Sequence, residues 1–181
     1  MTTNDLQGID KNKLIELVRA ELGGVVEDAG GLKKYFEKEA AGYPSAMESH
    51  SDTNRSQQQH MAQSSHKHAR NLEAGLSELD ILISQDGKGP TPLDQVQRIP
   101  ALLSLVLIEN LNDGESLLVF LVPGKAGGLV QYVDQDLSIS FKVTIVPEEA
   151  AMGETLLKTP LGDTFELGLK RLVTYKLVDF K

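Results

Sequence analysis

The side chains with chemistry to offer in this 181-residue chain are carboxylates and imidazoles, because it contains no cysteine. Disulfides, thiolate zinc sites and cysteine nucleophiles are therefore excluded. His50, His60, His66 and His68 invite a zinc or nickel site. Their spacing argues against one: His66 and His68 stand two apart and point to different faces of a helix, and an expected turn separates His50 from His60. A solvated helix with incidental histidines is the simpler account. Serines are frequent around position 64, yet there is no Gly-x-Ser-x-Gly elbow and no histidine and aspartate placed for a triad. Gly124 to Gly128 lacks the Gly-Lys-Ser/Thr ending of a phosphate loop. Glu148, Glu149 and Glu154 are explained as acids at the start of a short helix, where the macrodipole favours them. Asp52, in a Ser-Asp-Thr run just before a helical pattern, is a good N-cap, with Ser51 and Thr53 as competitors.

The elements that must position these residues fall into two groups. From roughly Asp10 to Ser84 there is no strand-like alternation and one proline, Pro44. Leu14, Leu17, Val18 and Leu22 form one apolar stripe, and Leu32, Tyr35, Phe36 and Ala40 resume helical spacing after Gly23-Gly24 and Gly30-Gly31, where breaks or kinks are expected. Leu72, Leu76, Leu79 and Ile83 form a heptad seam on a second helix. Large apolar residues are scarce between Tyr43 and His60. The pattern predicts an antiparallel helical hairpin, packed at its base and solvated toward a polar tip.

Gly87, Gly89, Pro90 and Pro92 cannot continue a helix, so residues 86–95 read as a linker between a helical domain (1–85) and a second domain (96–181). Beyond the linker the period changes to two, in Leu117, Val119 and Leu121, in Ile139, Phe141, Val143 and Ile145, and in Val173, Tyr175 and Leu177. Asn112-Asp113-Gly114 supplies a tight hairpin and Gly124 to Gly128 a looser turn. Pro147-Glu148-Glu149 reads as a helix start, with one short helix over Met152 to Leu157. The expected class is α+β, an α-helical hairpin followed by an antiparallel sheet carrying one short helix.

Composition narrows the function. The net charge of −8 opposes direct, phosphate-driven binding of nucleic acid, so a role near DNA should run through a protein partner. No Trp is present and aromatics make up 5%, which disfavours an aromatic ligand pocket. Met1 to Asp10 is polar and lacks the order of a signal peptide, and no apolar run approaches the roughly 20 residues of a membrane span. A soluble, cytoplasmic protein is expected.

The segment Met152-Gly-Glu-Thr-Leu-Leu-Lys-Thr-Pro-Leu-Gly162-Asp-Thr-Phe-Glu-Leu167 resembles, without a gap, the C-terminal signature of GreA/GreB transcription elongation factors, a pattern like L-G-R-A-L-L-G-K-K-V-G-D-E-F-E-L. Ala150-Ala151 replaces the usual Ser-Pro before it, and Lys158 replaces a glycine. Its physical content is legible: Met152, Leu156 and Leu157 form the buried side of the short helix, Gly162 and Asp163 turn the chain, and Phe165 and Leu167 alternate on the next strand. The helical region resembles the Gre hairpin in order and size, and Ser49-His-Ser-Asp52-Thr-Asn-Arg55 resembles Gre-like tips with a D-T-x-R pattern.

The resemblance implies an FKBP-like β domain that binds RNA polymerase and a coiled coil that enters its secondary channel. In that family the tip acids reach the Mg²⁺ of the polymerase active site, and the polymerase hydrolyses its own backtracked transcript. Carried over, Asp52 is the first candidate tip acid and metal ligand. The position of the family's second acid is occupied by Arg55, which repels a cation. Glu48, four residues before Asp52, is the candidate replacement. On this reading the chain has no cofactor of its own and is not itself an enzyme. Two alternatives stay open: a secondary-channel regulator that does not stimulate cleavage, and a coiled-coil adaptor for some other protein.

Overall fold

A computed structural model of the chain describes residues 6–42, 53–85, 99–134, 139–168 and 172–181. Two long helices come first, α1 (Lys11–Gly42) and α2 (Thr53–Gln85). Four strands follow, β1 (Leu105–Asn110), β2 (Ser116–Val122), β3 (Gly128–Asp134) and β4 (Ile139–Pro147). A short helix, α3 (Ala151–Leu156), leads to β5 (Thr164–Leu167) and β6 (Val173–Phe180). The α+β class, the helical pair and a short helix after β4 match the expectation.

Two expectations need correction. The first is α1, which runs unbroken through both glycine pairs. A Cβ added at Gly23, Gly24, Gly30 or Gly31 would meet nothing within 4 Å. The glycines cost helix propensity, about 1 kcal/mol each, but Leu14, Val18 and Leu22, all buried, hold the helix against its neighbours.

The second is the sheet, which is mixed rather than wholly antiparallel. Its order is β3-β4-β2-β1-β6-β5. The pairs β1–β2, β1–β6, β3–β4 and β5–β6 are antiparallel, while β2 and β4 are parallel, with Leu118 opposite Val143 and Phe120 opposite Ile145. The chain leaves β2, skips one position to lay down β3, then returns through the vacant slot as β4, which therefore runs with β2. Period-two alternation reveals strands but carries no information about their order.

Alternation along β1 and β2 sends side chains to two separate cores. Leu105, Leu107, Leu118, Phe120 and Val122 pack with Val130, Tyr132, Val143 and Ile145 and with Leu6, Ile9, Leu14, Val18, Leu22, Leu72 and Leu79 under the helical pair. Val106, Ile108, Val119 and Leu121 pack on the opposite face with Val146, Leu156, Phe165 and Leu177. The sheet is thus a middle layer, covered by the hairpin base on one face and by α3 on the other. The first core crosses from the helical region to the sheet; the expected boundary at residues 86–95 lies outside the described residues.

The turns follow their sequences. In the β1–β2 connection Gly114 has φ +76° and donates its N–H to Asn110 O at 2.8 Å, while Asp113 Oδ1 accepts from Glu115 N–H at 2.9 Å. Before β1, Leu103 holds φ +64°, an uncommon conformation for leucine. It is kept by burial of the side chain and by the bond from Leu103 N–H to Leu121 O at 2.9 Å.

Candidate functional site

The hairpin is antiparallel, since Arg19, early in α1, pairs with Asp80, late in α2, at 2.8 Å. At 1.5 Å per residue its 32- and 33-residue helices are each roughly 50 Å long. Burial stops partway along: among the described residues Ala29 and Ala69, both 5% exposed, are the last buried ones toward the tip. Beyond them α1 continues for 13 residues, so about 20 Å of the arm projects past the last buried pair. Leu32, Tyr35 and Met61 are exposed on that projecting part, and Tyr35 meets Phe36 edge-on at 5.4 Å. The expected gradient, a packed base and a solvated distal arm, is what the two helices display.

Of the candidate tip residues, Asp52 and Glu48 lie outside the described residues. Arg55 falls in the first turn of α2. His60 and His68 are exposed on α2 and His66 is half-buried. Among the described residues no group of three or more His, Asp or Glu is placed to hold a metal ion. A shallow recess along α2 is lined by Ser56, Gln57, His60, Met61 and Ser64, a set without a carboxylate. No described helix is long and apolar enough to cross a membrane.

What the structure adds is the seat of the hairpin on the sheet. Gly75 of α2 is buried against the β2–β3 loop: a Cβ on Gly124 would lie 2.9 Å from Gly75 Cα. That loop is held from below. Glu148 Oε1 accepts the Gly124 N–H at 3.1 Å, and Glu149 pairs with Lys125 at 3.1 Å. Glu148 and Glu149 therefore fasten the loop rather than serve the first turn of α3, which starts at Ala151 and carries only Glu154.

A second fastening lies at the start of α1. Leu6 and Ile9 are buried in the shared core, and Asp10 N–H donates to the hydroxyl of Tyr132 at 3.0 Å. The Lys13 ammonium stands 5.3 Å from the centre of the same ring. Lys181 Nζ donates to the carbonyls of Ile9 and Gln7. Burial lowers the Lys181 pKa below the ordinary lysine value; Asp10 opposes this and Lys11 adds to it. None of these contacts follows from periodicity. A hint was present in Gly75, a glycine within a heptad seam that needs no turn.

The α3–β5 segment shows what its sequence is for. Leu156 is fully buried, with Met152 and Leu157 packed beside it against the second core. Gly153 cannot carry a side chain, because its Cβ would lie 2.1 Å from Pro147 O. Gly162, at φ +91°, turns the chain, its N–H bonding Leu177 O at 2.9 Å, and Phe165 stacks on Tyr175 at 5.6 Å.

No family model and no curated protein matches the chain. Among solved structures it is similar to GreA factor homolog 1 of Thermus thermophilus, with 16% identity over 93% of each chain and a TM-score of 0.32. It is similar to Thermus aquaticus Gfh1 at 19% identity over 89% of this chain and 92% of that one, with a TM-score of 0.35. A third likeness is to the transcription elongation factor GreA/GreB of Nitrosomonas europaea, at 17% identity over 56% of this chain and 77% of that one, with a TM-score of 0.33. At TM-scores of 0.32 to 0.35 the likeness carries no argument about function. These three solved structures are of Gfh1 and GreA/GreB transcription factors.

Proposed function

We propose that the chain is a Gre-like regulator of RNA polymerase, in which the sheet domain anchors on the enzyme and the hairpin probes the secondary channel. One arrangement carries the reading: a two-helix arm projecting about 20 Å beyond its last buried pair, seated on a sheet whose α3–β5 segment bears the Gre-like pattern. An arm so long and so little covered makes poor sense for an isolated fold and good sense for a probe. The chain acts through the polymerase and performs no chemistry alone. Asp52, with Glu48, lends carboxylate oxygens to the Mg²⁺ of the polymerase active site. The cytoplasm is where it works.

A second reading, a secondary-channel regulator that does not stimulate cleavage, is favoured by Arg55 at the position of the family's second acid. The first experiment is co-purification with core RNA polymerase, and absence of binding refutes both readings in favour of an adaptor for another protein. The second is transcript cleavage in backtracked complexes. Asp52→Asn keeps a capping oxygen and removes the charge, so it should bind polymerase and lose cleavage, while Arg55→Glu should raise it. Wild-type binding without cleavage in any of the three proteins establishes the non-cleaving regulator.

A further inference from the structure

The two edges of the sheet are built differently. The strand order places β3 at one edge and β5 at the other. An edge strand presents a row of backbone groups that can pair with another chain, and proteins guard such edges by keeping them short, charging them, or breaking them with proline or a bulge. β5 is guarded, being four residues long with Glu166 exposed within it. β3 uses none of these devices. It runs for seven residues, pairs with β4 throughout without a register shift, and contains no proline, lysine or arginine; its one charged residue, Asp134, comes last.

One face of β3 is as bare as its edge. Val130 and Tyr132 enter the core beneath the hairpin, so alternation sends Leu129, Gln131 and Val133 to the opposite face. There the second core takes Val119, Val146 and Leu156 but no residue of β3. Leu129 is 54% exposed and Val133 44%. A long, regular, apolar edge of this kind is a site for strand addition.

We propose that β3 pairs antiparallel with β3 of a second copy, about a twofold axis at Gln131, joining the two sheets into one. The strand's own sequence argues for this occupant. About that centre Leu129 falls opposite the partner's Val133, and Val133 opposite the partner's Leu129, giving two apolar cross-strand pairs on one face. Gln131 meets its own counterpart, and Asp134 falls opposite the partner's Gly128, so like charges do not meet. Moving the centre to Val130 or Tyr132 keeps the faces matched but leaves two residues of each strand without a partner. A foreign strand would gain the same backbone bonds, yet β3 offers almost no charge by which to select it. A second copy brings the matching pattern in a fixed register, as an isologous interface requires. The inference is independent of the polymerase reading.

The test follows association of the full chain by sedimentation from about 1 to about 200 µM, where wild type should show a monomer–dimer equilibrium. Leu129→Lys/Val133→Lys sets like charges opposite each other at both pairs and should weaken dimerisation about tenfold or more, whereas Leu129→Lys/Val133→Glu sets opposite charges there and should restore it to within about threefold of wild type. Both variants change only exposed side chains, and thermal melting verifies that they fold. Because the chain has no cysteine, Gln131→Cys carries a single thiol on the proposed axis. Directly opposed residues of an antiparallel pair have Cα atoms about 4.5 to 5.5 Å apart, within the reach of a disulfide. Oxidised glutathione should therefore link this variant into a covalent dimer about tenfold faster than Glu115→Cys, an exposed position in the β1–β2 connection. A wild type that stays monomeric throughout overturns the proposal. So does a lysine pair that dimerises as wild type does, or a lysine–glutamate pair as weak as the lysine pair. If the charged variants do not fold, crosslinking decides, and equal rates at positions 131 and 115 overturn it.

Discussion

Two glycines that touch each other should respond oppositely to alanine. Gly124 holds φ +77°, and its added Cβ would stand 2.9 Å from Gly75 Cα, a backbone atom that cannot rotate away. A left-handed conformation costs a non-glycine residue about 1 to 2 kcal/mol, and forcing a methyl into a packed contact adds about 1 to 3 kcal/mol. Gly124→Ala should therefore destabilise by about 2 to 5 kcal/mol. Across the same contact, a Cβ on Gly75 would lie 3.6 Å from Pro123 O and 3.7 Å from Gly124 Cα, ordinary van der Waals distances. Gly75→Ala removes a helix-interior glycine, a gain of up to about 1 kcal/mol, so stability should hold or rise slightly. Urea unfolding followed by circular dichroism measures both, and melting temperatures should differ by about 2 to 4 °C per kcal/mol at this size. If Gly75→Ala loses as much as Gly124→Ala, or if both are neutral, α2 does not rest on the β2–β3 loop as described.

Three further outcomes can be checked on the same footing. Leu79→Ala, at a fully buried position of the shared core, should cost about 2 to 5 kcal/mol, while Leu32→Ala, 55% exposed on the distal arm, should change stability by less than about 0.5 kcal/mol in the same unfolding assay. Gly153→Ala should destabilise by more than about 3 kcal/mol despite its better helix propensity, because Pro147 O would lie 2.1 Å from the new methyl; a neutral result by thermal melting would mean that α3 packs differently. Lys181 has a pKa held below its ordinary 10.5, chiefly by burial, so the folded state releases its proton before the unfolded chain does. Stability from this group then rises with pH between the two values, and the difference in unfolding free energy between wild type and Lys181→Met should shift toward wild type as pH approaches 10.5 from below.

Much of this architecture was legible because it rests on periodicity. The seam Leu72, Leu76, Leu79 and Ile83 announced a packed helix, and the thinning of apolar residues toward Tyr43 announced an arm that leaves its core. The Asn112-Asp113-Gly114 turn and the α3–β5 segment were readable for the same reason, since each combines a turn residue with an apolar spacing that only one local geometry satisfies. The glycine pairs of α1 misled because propensity is a local cost, and here burial of the stripe from Leu14 to Leu22 outweighs it. Strand order was not readable at all: hydrophobic alternation in β2 and β4 is the same whether the strands run parallel or antiparallel. For the candidate site, spacing and resemblance point to the tip acids Asp52 and Glu48, which lie outside the described residues. The seat is not legible in the sequence because its contacts, Gly75 with Gly124, Gly124 with Glu148 and Lys181 with Gln7, join residues 24 to 174 positions apart.

On the function proposed above, the seat bears on how the arm would be presented to a partner. A projecting arm joined to its anchor by a free tether would have to be ordered when it binds, at about 0.5 to 1.5 kcal/mol for each immobilised side chain and more for the loss of segment motion. Here the base of the arm is ordered in folding: Leu14, Val18, Leu72 and Leu79 share one core with Phe120 and Tyr132 of the sheet. Backbone contact at Gly75 and the hydrogen bond from Asp10 to Tyr132 fix the arm at two places well apart along the hairpin base. Two separated contacts on a rigid helical pair define a direction as well as a position. A partner that grips the sheet therefore receives an arm already aimed, and its distal 20 Å or so is free of the core that holds the rest. The division of labour follows from burial alone: residues on the sheet side of Ala29 and Ala69 set the orientation, and residues beyond them, where little is buried, can vary in charge and type at small cost to the fold.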